Sequence, residues 1–125
     1  MTYSERIQEI IDGADVALFM KGTPQAIMCG NSERALGALR RARAPITAVD
    51  VLVDMEIRED LSAISGWPTI PQVFIKGELV GGADIVEDLE RSGELEKTLL
   101  ERLGDDYWST RAESVVTVAE EGARR

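Results

Sequence analysis

Residues 16–20 (VALFM) form an apolar run with no polar position in it, and the run stops abruptly at Lys21-Gly22-Thr23-Pro24. It is too short for a stable helix, and a strand without alternation has no face to offer to water. The run therefore predicts a strand buried on both sides, and the rest of the chain must supply helices to cover both faces of a small sheet.

The remaining pattern meets that demand. Before the run, Ile7, Ile10, Ile11 and Ala14 form a helical stripe, with Thr2 in capping-box spacing to Glu5 and Gly13 placed to end the helix. After it, Ala35, Leu36, Leu39 and Ala42 mark a second helix whose wetter side carries Arg34, Arg40, Arg41 and Arg43. Pro45 breaks that helix, and residues 46–52 (ITAVDVL) are rich in the β-branched side chains that favour a strand. Asp54 is a candidate N-cap for a third helix striped by Ile57, Leu61 and Ile64 and ended by Gly66.

Two short β-rich runs, 72–75 and 78–80, are joined by Lys76-Gly77, a pair suited to a tight hairpin turn. Asp84, with Glu87 three residues on, then opens a helical region carrying Leu95, Leu99 and Leu103. The class is α/β: a parallel strand pair with helical crossovers, an antiparallel hairpin, and helices on both faces. One domain is expected over residues 1–103. Residues 104–125 read as an acidic tail, disordered or helical, in which Tyr107, Trp108, Val115, Val116 and Val118 offer local docking points.

Charge and composition narrow the function. The chain has 125 residues, enough for one sizeable core, and a formal charge of -9 from 23 acids against 14 bases. A surface of that sign repels phosphate backbones and anionic lipid heads, which argues against nucleic acid or a membrane as partner. No apolar stretch approaches the roughly 18 residues of a membrane span, and the acidic N-terminal segment does not read as a signal peptide. A cytoplasmic setting is the expectation. With one cysteine and no histidine, an intrachain disulfide, a zinc finger and a Cys-His or Ser-His catalytic pair are excluded.

Cys29 is the residue that remains to be explained. A lone cysteine is commonly a small buried hydrophobe. This one follows a strand and a Gly-Thr-Pro loop and opens a helix, where the positive end of the helix dipole favours a thiolate. Lys21, at the end of the strand, can lower the thiol pKa further and receive a carboxylate, or it is simply a solvated lysine. In Trp67-Pro68-Thr69-Ile70-Pro71 a cis bond at Pro71 would leave the Ile70 backbone free for an extended ligand, against the alternative of an ordinary proline loop. Gly81-Gly82 before a helix lets backbone N–H groups approach an anion, and Asp84 beside them can grip an amino group. Asp84 with Glu87 is equally a sound capping pair without any ligand. A charged tripeptide thiol suits such a groove.

The segments FMKGTP, CGNS and WPTIPQVFIKGELVGGADIV, in this order and spacing, resemble the monothiol, CGFS-type glutaredoxins, and the match runs from about Val16 to Leu100. The resemblance implies a thioredoxin-like fold with a four-stranded mixed sheet flanked by helices. It also implies a cis bond at Pro71 and a glutathione groove built from Lys21, Arg58, Ile70, Pro71, Gly82, Ala83 and Asp84. Cys29 would be both the active thiol and the iron ligand. In such a family two subunits and two glutathiones share one [2Fe-2S] cluster, delivered to apo iron-sulfur proteins during iron-sulfur assembly, in some cases with a BolA-like protein replacing one subunit. The chain would then be a homodimer with its cluster and a monomer without it, and at most a weak glutathione-dependent oxidoreductase. The ligand count agrees, because four thiolates are wanted and one chain supplies a single cysteine.

The chain departs from the family pattern in three places: Asn31 stands in place of phenylalanine, Ala26-Ile27-Met28 replaces a proline-containing approach, and Ala83 stands where many members have a second cysteine. Asn31 removes an aromatic surface and offers an amide that can bond near the sulfur. Ser32 occupies the second position of a C-x-x-C pair, which disfavours dithiol chemistry. Two other functions use the same groove: deglutathionylation of proteins through a mixed disulfide on Cys29, and a scaffold that keeps the groove but carries no cluster.

Overall fold

The computed structural model describes residues 1–110 and 112–118. In chain order the elements are α1 (Tyr3–Gly13), β1 (Val16–Met20), β2 (Gly22–Thr23), β3 (Ala26–Ile27), α2 (Gly30–Arg41) and β4 (Ile46–Asp50). They continue with α3 (Met55–Ser65), β5 (Gln72–Ile75), β6 (Glu78–Gly81), α4 (Ala83–Ser92), α5 (Glu94–Leu103) and β7 (Glu113–Val116). The main sheet has the order β6-β5-β1-β4-β7, with β1 at its centre, parallel to β4 and antiparallel to β5.

All of β1 is buried, as its unbroken apolar run demands. Val16, Leu18 and Met20 face one core with Leu36 and Leu39 of α2, Val86 of α4, and Leu95 and Leu99 of α5. Ala17 and Phe19 face the other, with Ile7 and Ile11 of α1 and Ile57 and Leu61 of α3. Phe19 meets Phe74 of β5 edge to face at 5.7 Å, which ties the central strand to the hairpin strand. The hairpin turn is Lys76-Gly77, both residues at positive φ (50° and 85°), the geometry that a two-residue turn between right-twisted strands requires.

The local signals act largely as read. Thr2 and Glu5 form a reciprocal capping box on α1, and Asp54 caps α3 through the Glu56 N–H. β4 ends at Asp50, short of the strand expected over residues 46–52: Asp50 Oδ1 accepts the Leu52 N–H at 2.8 Å, and the chain turns into a 3-10 segment over Val51–Val53. The N-cap of α4 is Gly82 rather than Asp84, which sits within the first turn.

The thioredoxin-like class holds, but the sheet has five strands rather than four. The additional strand comes from the stretch expected to be a disordered or helical tail. β7 pairs in parallel with β4, from Ile46 with Glu113 to Val49 with Val116. Tyr107 donates its hydroxyl to the Ala42 carbonyl at 2.8 Å, and Arg40 holds Glu113 through two bonds of 2.6 and 2.8 Å. Val118 is buried in the core on the α1 and α3 side. Residues 119–125, the end of the expected tail, lie outside the described residues. No helix among the described residues is long and apolar enough to cross a membrane.

Candidate functional site

Cys29 is the N-cap residue of α2, in extended backbone conformation, and its thiol is half-buried. The side chain makes no capping bond to the helix. The N–H groups of the first turn instead favour the charge that forms when the thiol ionises. The Ser32 N–H is the largest influence holding the thiol pKa below its ordinary range; burial opposes it, and the Asn31 N–H, the Ser32 hydroxyl and the Lys21 charge add to it.

Ser32 fastens this arrangement. It is fully buried, and its Oγ accepts the Lys21 N–H at 3.0 Å. The Lys21 carbonyl in turn accepts the Met28 N–H at 3.0 Å, and Asp50 Oδ1 accepts the Gly22 N–H at 3.0 Å. The end of β1, the small β2–β3 ribbon and the start of α2 are thus bonded into one support for the sulfur. Reading Ser32 only as a missing cysteine overlooks this role, since its partner is a backbone group that no side-chain pattern shows.

A groove of about 370 Å³ opens between the first turn of α2, the loop before β5 and the start of α4. It gathers Ile70, Pro71, Gly82, Ala83 and Asp84, five of the residues singled out in the sequence. The Ile70–Pro71 bond is cis. Arg58 lines a neighbouring depression, and Ile70 borders both. Lys21 lines neither and is linked to the site through Ser32 and Cys29.

The groove wall is pinned by Gln72, which is fully buried and donates Nε2 to the carbonyls of Trp67 (2.9 Å) and Thr69 (3.2 Å). Gly82 allows the wall and α4 to meet, because a Cβ there would come within 3.3 Å of both Trp67 Nε1 and the Pro71 carbonyl oxygen. With no side chain at its N-cap, α4 leaves its first-turn N–H groups uncapped at the groove.

Arg34, which the sequence marks only as part of a wet helix face, spans the groove mouth. Its Nη2 donates to Asp84 Oδ1 and to Glu87 Oε1, each at 2.6 Å, and its Nη1 donates to Asn31 Oδ1 at 3.0 Å. The Asn31 amide is therefore turned toward Arg34, and only its backbone N–H acts on the thiol. Glu87 does not cap α4; the Arg34 guanidinium holds its carboxyl below the usual carboxylate range. Signals three residues apart in sequence suggested a cap, whereas the contact that forms joins two helices.

The family model for glutaredoxin matches residues 16–80. The chain belongs to the glutaredoxin family. Probable monothiol glutaredoxin 2 of Rickettsia felis is 48% identical over 95 residues, covering 76% of this chain and 91% of that protein. Monothiol glutaredoxin-S11 of Oryza sativa subsp. japonica is 50% identical over 97 residues, covering 78% of this chain and 20% of that protein. The chain thus spans a fifth of the rice protein's length. Among solved structures, a monomeric truncated mutant of Trypanosoma brucei 1-C-Grx1 is similar at 42% identity with a TM-score of 0.73, covering 81% of this chain and 91% of that one.

In this glutaredoxin the thiol stands at one helix N-terminus and the groove ends at another, α4. The first favours a thiolate, and the second has the uncapped N–H groups that suit an anion. Among the described residues no group of three or more His, Cys, Asp or Glu is placed to hold a metal ion.

Proposed function

We propose that this glutaredoxin binds glutathione in the groove and, as two chains with two glutathiones, carries a [2Fe-2S] cluster as cargo for apo iron-sulfur proteins in the cytosol. The observation that carries this reading is the position of the accessible, thiolate-favouring Cys29 on the same helix start that walls the groove through Asn31 and Arg34. A tripeptide lying there presents its two charged ends to Asp84 and the α4 N–H groups on one side and to Arg58 and Lys21 on the other. Its own sulfur then lies near Cys29. Two thiolates per chain, one of them exchangeable, suit a cluster that is handed on rather than stored. A BolA-like protein replacing one chain would use the same face.

The test is anaerobic reconstitution with iron, sulfide and glutathione, read by visible absorption and by size. A coloured dimer that requires both glutathione and Cys29, lost in Cys29→Ser, is expected. A colourless monomer under the same conditions rejects cluster carriage by the homodimer.

The lowered thiol pKa also suits a nucleophile, which supports a second reading as a deglutathionylating oxidoreductase. The Cys29 thiolate attacks the glutathione sulfur of a protein mixed disulfide; that S–S bond breaks and the protein leaves as a thiolate that takes up a proton. A second glutathione thiolate then attacks the glutathione sulfur on Cys29, giving glutathione disulfide and restoring the Cys29 thiolate. A colourless monomer that releases glutathione from a glutathionylated protein, and loses this with Cys29→Ser, would favour this reading.

A further inference from the structure

Arg34 and Asp84 form a charge pair at the groove mouth, and the arginine is anchored independently of the aspartate. Its Nε and Nη2 both donate to Glu87 Oε1, at 3.0 and 2.6 Å, and the Glu87 side chain is only 19% exposed. Its Nη1 donates to Asn31 Oδ1, and Nη2 reaches Asp84 Oδ1. A guanidinium has five N–H donors. One hydrogen on Nη1 is left with no acceptor among the described residues. Asp84 is 85% exposed at its side chain and has no hydrogen bond on Oδ2 among the described residues.

An anion at Asp84 and a cation at Arg34, beside the uncapped N–H groups of α4, are the complement of a carbon that bears both an ammonium and a carboxylate. We propose that Arg34 determines the specificity of the groove, donating to the α-carboxylate of the γ-glutamyl end of glutathione while Asp84 accepts from its α-ammonium. The inference rests on the glutathione reading above. Ammonium binding on Oδ2 does not require Arg34 to leave Oδ1, and Glu87 keeps the guanidinium at the mouth throughout. A ligand with the ammonium but no neighbouring carboxylate leaves the spare Nη1 hydrogen of Arg34 and the α4 N–H groups without an acceptor and binds less well. A zwitterionic end supplies a partner to Asp84 and to Arg34 together.

The test is an amide-shift titration of the full chain with S-methylglutathione and with S-methylated 4-aminobutanoyl-cysteinylglycine, which lacks only the α-carboxylate. S-methylation removes thiol exchange from the measurement. The native protein is expected to prefer S-methylglutathione about fivefold. In Arg34→Gln the preference falls below about twofold because affinity for S-methylglutathione alone drops, and Arg34→Lys restores part of it. A preference unchanged in Arg34→Gln, or equal weakening of both ligands, overturns the role of Arg34. If the native protein gives saturable groove shifts with neither ligand, the glutathione reading fails and this inference with it, a result distinct from selective failure of the arginine. Arg34 lies on the surface, and the amide shifts outside the groove report whether each variant keeps the fold.

Discussion

The Ser32 hydroxyl accepts the Lys21 backbone N–H at 3.0 Å, and through this bond the end of the central strand is fastened to the first turn of the thiol-bearing helix. Ser32 is fully buried and the bond is part-buried, which limits the water that can replace it. Replacing Ser32 by alanine should cost about 1–3 kcal/mol of stability, the ordinary range for a buried donor left unpaired. It should also raise the pH at which the Cys29 thiolate appears, since one of the groups holding that pKa down is gone. Thiolate ultraviolet absorbance followed against pH checks the second effect, and a titration superimposable on the native one would exclude the hydroxyl from tuning the thiol.

The same shift makes stability depend on pH. Folding lowers the Cys29 pKa, so between the folded and unfolded values the unfolded chain binds more protons. Stability from this group therefore rises with pH across that window, is complete above the unfolded thiol value of about 8.5, and is lost as pH falls through the folded value. Denaturant unfolding of the native protein and of Cys29→Ser at a series of pH values should diverge in this direction. Parallel curves would show that ionisation of Cys29 is not coupled to folding.

Gln72 holds the groove wall from inside by donating to the Trp67 and Thr69 carbonyls. Gln72→Leu takes this donor from two carbonyls that are only partly buried, with an expected loss of about 1 kcal/mol. The loop that presents Ile70 is freed at the same time, so glutathione should bind several-fold more weakly. Urea unfolding and ligand titration on one sample read both, and retained affinity in a destabilised variant would mean that the loop keeps its shape without this side chain.

Tyr107→Phe removes only the hydroxyl that bonds the Ala42 carbonyl. The expected cost is about 1 kcal/mol, with the Cys29 titration unchanged, because the contact lies at the far end of α2 from the thiol. A variant as stable as the native chain would indicate that the segment leading to β7 is not part of the cooperative unit.

Much of this was legible before any coordinates. The VALFM run announced a strand covered on both sides, and the Thr2–Glu5 and Asp54 signals marked helix starts, because each rests on interactions within a few residues. Of five groove residues singled out in the sequence, Ile70, Pro71, Gly82 and Asp84 follow from proline, glycine and carboxylate chemistry and Ala83 from the family resemblance, and all five line one cavity. The glutaredoxin family was recognisable for the same reason: its motifs are local and ordered.

Contacts between residues distant in sequence were not legible. The segment 113–116 has little core to bury, with three of its residues exposed, and is a strand because the open edge of β4 offers it hydrogen bonds. Arg34 reads as one of several arginines on a wet face until α4 places Asp84 and Glu87 opposite it. Ser32 gains its role from Lys21, whose N–H becomes a partner once β1 ends beside α2. The sequence by itself determined the helices, the three central strands and the hairpin, the thiol at a helix start and five of the groove residues, because caps, turns and hydrophobic period are short-range. Tertiary structure decided the fifth strand, the support beneath Cys29 and the charge pair at the groove mouth, because each joins elements that only the folded sheet brings together.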